Sequence, residues 1–229
     1  MSSSPSESNS YKTFTVSPSS SLSSSTTYKI RVTTGVKDFS GNTLSSQYET
    51  SSGFTTKNWT QQLGTTASDY GYGVTVDSSD NIYVTGYTAG GLDGNTNSGD
   101  NDIFLVKYNS SGVKQGTKQL GTSTDDLGYG VAVDSSDNIY LTGWTQGGLD
   151  GNTNAGGQDI FLVKYNSSGT KQWAQQLGST SSEVGYGVTV DSSDNIYVTG
   201  TTYGGLDGNT NSGNFDIFLM KFNSDGVKQ

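Results

Sequence analysis

Val76-Asp77-Ser78-Ser79-Asp80-Asn81-Ile82-Tyr83-Val84-Thr85-Gly86 occurs three times in this chain. It returns at 133–143 with one change, Leu141 where Val84 stands, and at 190–200 unchanged. The spacing is 57 residues each time, with no insertion or deletion, so residues 59–229 hold three units of equal length. A repeat of this order marks a solenoid, a propeller or an array, because each unit is one supersecondary module that buries its apolar face on its neighbours. Within the quoted stretch, Ile82 and Val84 alternate with polar or small residues, which is the period of a half-buried strand.

Working outward, each unit offers four strands. Tyr72–Asp77 places Val74 and Val76 on one face. Asn81–Tyr87 follows after the tight link Asp77-Ser78-Ser79-Asp80. Asp102–Tyr108 carries Ile103-Phe104-Leu105-Val106, apolar on both faces, as a central strand requires. Val113–Leu120 is the fourth, reached through Asn109-Ser110-Ser111-Gly112, and its counterpart Lys171–Leu177 carries Trp173. Short links between alternating strands predict hairpins. Four antiparallel strands per unit fit the blade of a β-propeller. A β-helix would use a shorter period per coil.

Composition agrees with an all-β chain. Gly is abundant at 32 residues, aromatics make up 11%, and strong helix formers are scarce. The net charge is −9, and Arg31 is the only Arg, so no basic stripe exists for nucleic acid or anionic lipid. Only three of the 21 acidic residues are Glu (Glu7, Glu49 and Glu183). Asp favours turns and short-reach cation loops, so the negative charge belongs to loops. The absence of Cys and His removes thiol nucleophiles, imidazole bases and Cys/His zinc sites. No apolar run approaches the ~18 residues of a membrane span.

Ahead of the repeats, residues 1–10 form a Ser-rich leader expected to be disordered. In residues 11–57, Phe14 and Val16 alternate with polar residues, as do Tyr28, Ile30 and Val32, and Phe54 lies in a last short strand. The turn Lys37-Asp38-Phe39-Ser40-Gly41-Asn42 separates the later strands. This segment resembles the C-terminal half of a bacterial Ig-like domain, through Phe14-Thr15-Val16-Ser17-Pro18, Thr27–Val32, Gly35–Asn42 and Phe54-Thr55-Thr56. A whole sandwich needs about seven strands, more than this segment offers.

The repeats resemble the bacterial SBBP (seven-bladed β-propeller) family. The resemblance rests on Gly71–Gly86 and on Asp102–Gly112 and their copies. It implies a secreted or envelope protein of bacteria, with Ig-like neighbours and no established catalytic residues. The expected architecture is thus an incomplete Ig-like β-segment at 11–57, then three blades within 58–229 (59–115, 116–172 and 173–229). Propellers close with roughly four to eight blades. Three blades therefore read as part of a longer ring, with Trp59-Thr60-Gln61-Gln62-Leu63 as an outer strand lacking its blade.

In a meander, successive links alternate between the two ends of the strands. The second-to-third-strand loops and the blade-to-blade loops therefore share one end. The long loop is the best candidate site. Asp93, Asn95 and Asn97 alternate before Asp102. The same offsets give Asp150, Asn152, Asn154 and Asp159, then Asp207, Asn209, Asn211 and Asp216. Alternating Asp and Asn oxygens on a curved backbone are what Ca²⁺ requires. Against this, Gly99 falls one place later than in an EF-hand loop, and no bidentate Glu occupies the twelfth position. Two readings stand: weak Ca²⁺ binding, or Asx-turns that serve only the backbone. Ligand choice should sit where the copies disagree, at Tyr87, Trp144, Gln146, Tyr203 and Phe215. The paired Tyr72, Tyr129 and Tyr186 are expected to pack between blades.

The function expected is non-catalytic display, or binding of a protein or glycan, outside the cell or in its envelope. One alternative is a Ca²⁺-dependent carbohydrate-binding module. Another is part of a propeller hydrolase or lyase whose catalytic residues lie elsewhere in a longer chain. No single acidic pair breaks the repeat symmetry: Asp125-Asp126 aligns with Ser68-Asp69 and Ser182-Glu183.

Overall fold

The computed structural model describes residues 6–8, 13–15, 20–23, 26–37, 40–55 and 60–229. The chain divides into two units, Met1–Gln61 and Gln62–Gln229. In the first, β1 (Ser6–Ser8) pairs antiparallel with β2 (Thr13–Thr15), so part of the leader expected to be disordered is in a ladder. Val16, Asp38, Phe39 and Thr56–Trp59 lie outside the described residues.

The single strand expected over 28–32 is divided into β3 (Thr27–Tyr28) and β4 (Arg31–Val32). Their partners are β6 (Phe54–Thr55) for β3 and β5 (Tyr48–Glu49) for β4. Thr50 joins the two pieces. Its N–H donates to Ile30 C=O at 3.0 Å and its hydroxyl accepts from Ile30 N–H at 3.2 Å. Arg31 Nη2 lies 2.7 Å from Glu49 Oε2, across the β4–β5 pair. The strand at Tyr48–Glu49 was not expected, because two residues are too few for alternation to register.

The second unit holds the repeats. Blade 1 consists of β7 (Asp69–Val76), β8 (Ile82–Thr88), β9 (Asp102–Tyr108) and β10 (Lys114–Leu120). Blade 2 consists of β11 (Asp126–Val133), β12 (Ile139–Thr145), β13 (Asp159–Tyr165) and β14 (Lys171–Leu177). Blade 3 has β15 (Glu183–Val190), β16 (Ile196–Thr202) and β17 (Asp216–Phe222), after which Phe222 bridges Lys228. Each blade is an antiparallel meander in chain order. The first strands β7, β11 and β15 lie side by side. Residues 60–63, expected as an orphan outer strand, are in no strand, and Trp59 is outside the described residues. Leu63 nevertheless packs with Leu92 and Phe104.

The first strand of each blade begins three residues earlier than its alternation predicts, because a bulge interrupts it. Gly71 pairs with Gly86 and Gly73 with Thr85, which leaves Tyr72 as the extra residue. Tyr129 and Tyr186 occupy the same bulge. A bulge re-aims the side chain it carries.

The link after the first strand is built by Asp77. Its carboxylate accepts N–H bonds from Ser79 at 2.9 Å and Asn81 at 2.8 Å, and the Tyr83 hydroxyl at 3.0 Å. Asp80 then turns the chain at φ 59°, a left-handed conformation that Asp tolerates better than most residues. Burial raises the pKa of Asp77, but hydrogen bonds from Asn81, Ser79 and Tyr83 outweigh it and hold the carboxyl below its ordinary value.

Blades stack face to face. One core joins Ile103, Leu105 and Tyr83 of blade 1 to Ile139, Phe161 and Val163 of blade 2. A second joins Tyr140, Ile160 and Leu162 of blade 2 to Ile196, Val198 and Phe222 of blade 3. Within each blade, a glycine on the second strand admits a Phe ring. A Cβ at Gly143 would lie 1.8 Å from Leu127 O and 2.8 Å from the Phe161 ring, and Gly86 and Gly200 are equally crowded.

Candidate functional site

The long loops and the blade-to-blade loops meet at one end, as the meander requires. Asn101 C=O accepts Asp126 N–H at 2.8 Å, and Asn101 Nδ2 donates to Asp125 Oδ1 at 2.7 Å. Asp80, Asp137 and Asp194 are at the other end, where Asp137 accepts from the Ser78 N–H and hydroxyl at 2.9 and 2.8 Å.

In the long loop, each of the four candidate side chains is engaged by the protein through at least one polar atom. A short 3₁₀ turn, Leu92–Gly94, places Asp93 at φ 56°. Asp93 forms an ion pair with Lys114 and accepts the Thr117 hydroxyl at 2.9 Å, which holds its carboxyl below its ordinary value. Asn95 donates to Leu92 C=O at 2.8 Å, and Asn97 Oδ1 accepts Gly99 N–H at 3.0 Å. Asp102 Oδ2 accepts Ser98 N–H at 2.7 Å and Gln119 Nε2 at 3.0 Å.

The second loop repeats these bonds. Asp150 pairs with Lys171, Asn152 donates to Leu149 C=O, and Asn154 accepts from Gly156. Asp159 accepts from Ala155 and Gln176. In the third, Asp207 pairs with Lys228, Asn209 donates to Leu206 C=O, Asn211 accepts from Gly213, and Asp216 accepts from Ser212. These are turn-building contacts. Among the described residues no three acidic side chains gather as a metal centre.

One feature of the loops is not explained by turn building. Asp102 Oδ1 and Asp159 Oδ1 are buried and have no hydrogen-bond partner among the described residues. Beside Asp102 lies Asp126, fully buried at the blade junction. Its carboxylate accepts Thr122 N–H at 2.5 Å and the Thr145 hydroxyl. Burial pushes the Asp126 pKa up, and the Asp102 charge adds to the rise. Glu183 replaces the Asp in blade 3 and keeps the same bonds, to Ser179 N–H at 2.6 Å and the Thr202 hydroxyl at 3.0 Å. Asp126 and Glu183 are therefore internal, not displayed, whereas Asp69 of blade 1 is half-buried.

What the end of the blades does display is aromatic. Tyr70 and Tyr87 have ring centroids 4.9 Å apart, and Tyr87 stacks on Tyr72 at 5.6 Å. Tyr72 meets Tyr129 edge-on at 4.9 Å, and Tyr129 meets Tyr186 at 5.6 Å. The row thus crosses all three blades along β7, β11 and β15. The inter-blade packing expected of Tyr72, Tyr129 and Tyr186 is present, yet Tyr70, Tyr72 and Tyr186 remain about half exposed. For Tyr72, Tyr129 and Tyr186 the bulge accounts for the contact, since it lifts these rings out of the alternating face. Tyr70 escaped notice because its copies are Leu127 and Val184.

The five variable residues separate into groups. Tyr87 belongs to the row. Trp144 is buried beside Leu127 and Val184 and donates from Nε1 to the Tyr129 hydroxyl at 3.2 Å, so it braces the row from below. Gln146 is exposed. Tyr203 and Phe215 form an exposed edge-on pair at 5.3 Å on blade 3.

Comparison with known proteins agrees with this architecture. A β-propeller repeat model (SBBP) matches residues 58–93, 115–150 and 172–207, and a bacterial Ig-like domain model matches residues 1–56. The chain is 27% identical to an uncharacterized WD repeat-containing protein, L264, of Acanthamoeba polyphaga mimivirus, a match that covers 64% of this chain. It is 26% identical to the regulatory protein FlaEY of Caulobacter vibrioides, over 65% of this chain. It spans only 13% and 17% of the lengths of those relatives. Three matched repeats, each folded as an antiparallel meander with the same glycine and Asp signature, place this chain in the SBBP family of β-propeller repeat proteins, joined to a bacterial Ig-like domain.

Proposed function

We propose that this chain is a non-catalytic binding module of the cell exterior or envelope, and that its ligand is a glycan laid along the tyrosine row. The observation that carries this reading is the row itself: five tyrosines in unbroken ring contact across three blades, three of them half exposed. Aromatic faces pack well against the C–H faces of sugar rings, and exposed Tyr supplies contact area at little entropic cost. Restraint of the rings by one another and by Trp144 preorganises the surface, which limits the ordering cost of binding.

A glycan array probed with the labelled full chain tests this. Tyr72→Ala and Tyr129→Ala should weaken binding at least ~10-fold each, the scale of a lost aromatic anchor. Binding that survives both changes, or binding to proteins alone, overturns the glycan reading.

The orphan oxygens Asp102 Oδ1 and Asp159 Oδ1 favour a second reading, in which the loops take Ca²⁺ weakly and present it to the ligand. A melting temperature that rises in millimolar Ca²⁺, and array signals lost in chelator, would support it. An unchanged melting temperature and chelator-insensitive binding would remove it.

A further inference from the structure

The fourth strands of blades 1 and 2 occupy equivalent places but differ in what they put between blades. β10 and β14 have the same length, and Gly116 pairs with Lys107 as Trp173 pairs with Lys164. The two strands differ only at 116–118, where Gly-Thr-Lys stands against Trp-Ala-Gln at 173–175. Facing them across the junctions are two matched links, Asn166-Ser167-Ser168-Gly169 of blade 2 and Asn223-Ser224-Asp225-Gly226 of blade 3.

Between blades 2 and 3, the Trp173 indole fills the space. Its ring lies 6.1 Å from that of Tyr140, it packs against the junction core, and a Cβ at Gly226 would come within 3.0 Å of it. Between blades 1 and 2, Tyr83 and Gly169 stand where Tyr140 and Gly226 stand at the next junction. Here no side chain enters from 116, and a Cβ built on Gly116 would meet nothing within 4 Å. The result is a cavity of about 400 Å³, with Tyr83, Leu105, Gly116, Thr117 and Gly169 in its wall. That is a size small ligands occupy.

The same substitutions change the charge. Lys118 stands where blade 2 has Gln175, which adds an ammonium to the cavity wall. Ser168 stands where blade 3 has Asp225, which takes a carboxylate away. Lys107 also lines the cavity, with Nζ 5.1 Å from the Tyr83 ring centre, 3.4 Å from Ser167 C=O and 3.9 Å from Asp77 Oδ2. Lys118 Nζ has no hydrogen-bond or ion-pair partner among the described residues. No acidic side chain lines the cavity among the described residues. An ammonium beside a slot bounded by an aromatic ring suits an anion carried on a flat ring.

We propose that this cavity binds a small aromatic carboxylate of indole size. The ring takes the place that Trp173 fills at the next junction, against Tyr83 and Gly169, and the carboxylate accepts from Lys118. The site lies on the outer strand, at the end of the blades opposite the long loops, and is independent of the tyrosine row on the first strands.

An amide NMR titration of the full chain with indole-3-acetate tests this. Saturable shifts should centre on Gly116, Lys118 and Gly169, with a Kd of about 1 mM or below, the range open to a ligand of so few atoms. Gly116→Trp should fill the cavity and abolish these shifts, with the circular dichroism spectrum unchanged. Lys118→Gln, at an exposed position, should weaken indole-3-acetate about 5-fold, the upper scale for a charge pair near solvent, and leave neutral indole as it was. Ser168→Asp should act in the same direction. Tyr72→Ala should alter none of these results, which separates this site from the tyrosine row. Shifts that fail to saturate by about 10 mM, or that centre elsewhere on the chain, overturn the proposal. So do shifts that survive Gly116→Trp, or an equal loss of indole and indole-3-acetate in Lys118→Gln.

Discussion

Ile160 and Ile217 are the same residue of the same module, 57 positions apart, yet Ile160 is 1% exposed and Ile217 is 89% exposed. Leu162 and Leu219 differ in the same way, at 0% and 73%. The strands that carry them have the same length and the same register with the strand before them, but β13 is also paired with β14 on its outer edge and β17 has no such strand. What differs is the surroundings: blade 2 has its fourth strand and a blade on each side, whereas blade 3 has three strands and a blade on a single side. The comparison separates two kinds of stability. Turn chemistry, the ladders among the first three strands and the glycine–Phe contact belong to the blade and recur in each copy. Apolar burial belongs to the junction and is present only where two blades meet. This is the nearest-neighbour energetics expected of a repeat array.

Substitutions can break that comparison if it is mistaken. Leu162→Ala should cost about 2–5 kcal/mol, the range for a fully buried Leu, whereas Leu219→Ala should change stability by no more than ~0.5 kcal/mol. Urea unfolding measures both. Equal losses at the two sites would show that blade 3 is covered in solution. Gly143→Ala should cost about 1–3 kcal/mol by overpacking against Leu127 C=O and Phe161. Gly86→Ala and Gly200→Ala should cost about the same, because that clash lies inside each blade. A cost graded by blade position would count against the division drawn here.

Smaller effects sharpen it. Removing the junction hydroxyl in Ser78→Ala or Ser135→Ala should cost about 0.5–1.5 kcal/mol, and Ser192→Ala close to nothing. The pH dependence is smaller still and has two signs. The raised pKa of Asp126 means that the native state takes up a proton before the unfolded state does, so stability gains as pH falls toward that pKa. The lowered pKa values of Asp77 and Asp134, and that of Asp191 at about 2, act oppositely. Their stabilisation is present above the ordinary Asp value and is lost as pH falls through the folded value. The melting temperature should therefore rise slightly on mild acidification and fall below about pH 4, the ordinary range of a carboxyl. Asp126→Asn should remove the rise and leave the fall.

Much of the blade was legible in the residues. The central strand Asp102–Tyr108 and the outer strand Lys171–Leu177 have the bounds that their apolar pattern predicts. The shared end of the long and blade-to-blade loops followed from meander topology alone. The start of the first strand did not, because the bulge at Tyr72 shifts the register, and a period-two pattern cannot show an extra residue. The site was less legible. Asp93 reads as a cation ligand in sequence, but Lys114 lies 21 residues on in the chain and reaches it only when β10 folds beside the loop. The tyrosine row was invisible as a row, since Tyr72, Tyr129 and Tyr186 are far apart in the chain and meet only across blades.

The sequence by itself determined the module: its 57-residue length, its four strands, the Asp–Ser–Ser–Asp turn and the glycine that admits a Phe ring. These are local matters, set by side-chain alternation and by the few residues that tolerate left-handed backbone. Only the tertiary structure decided which copies of a given side chain are buried and which face water. That depends on the neighbour rather than on the residue, because apolar burial is a property of two surfaces brought together. For that reason three nearly identical blades present one sealed middle, two open faces and a single line of tyrosines.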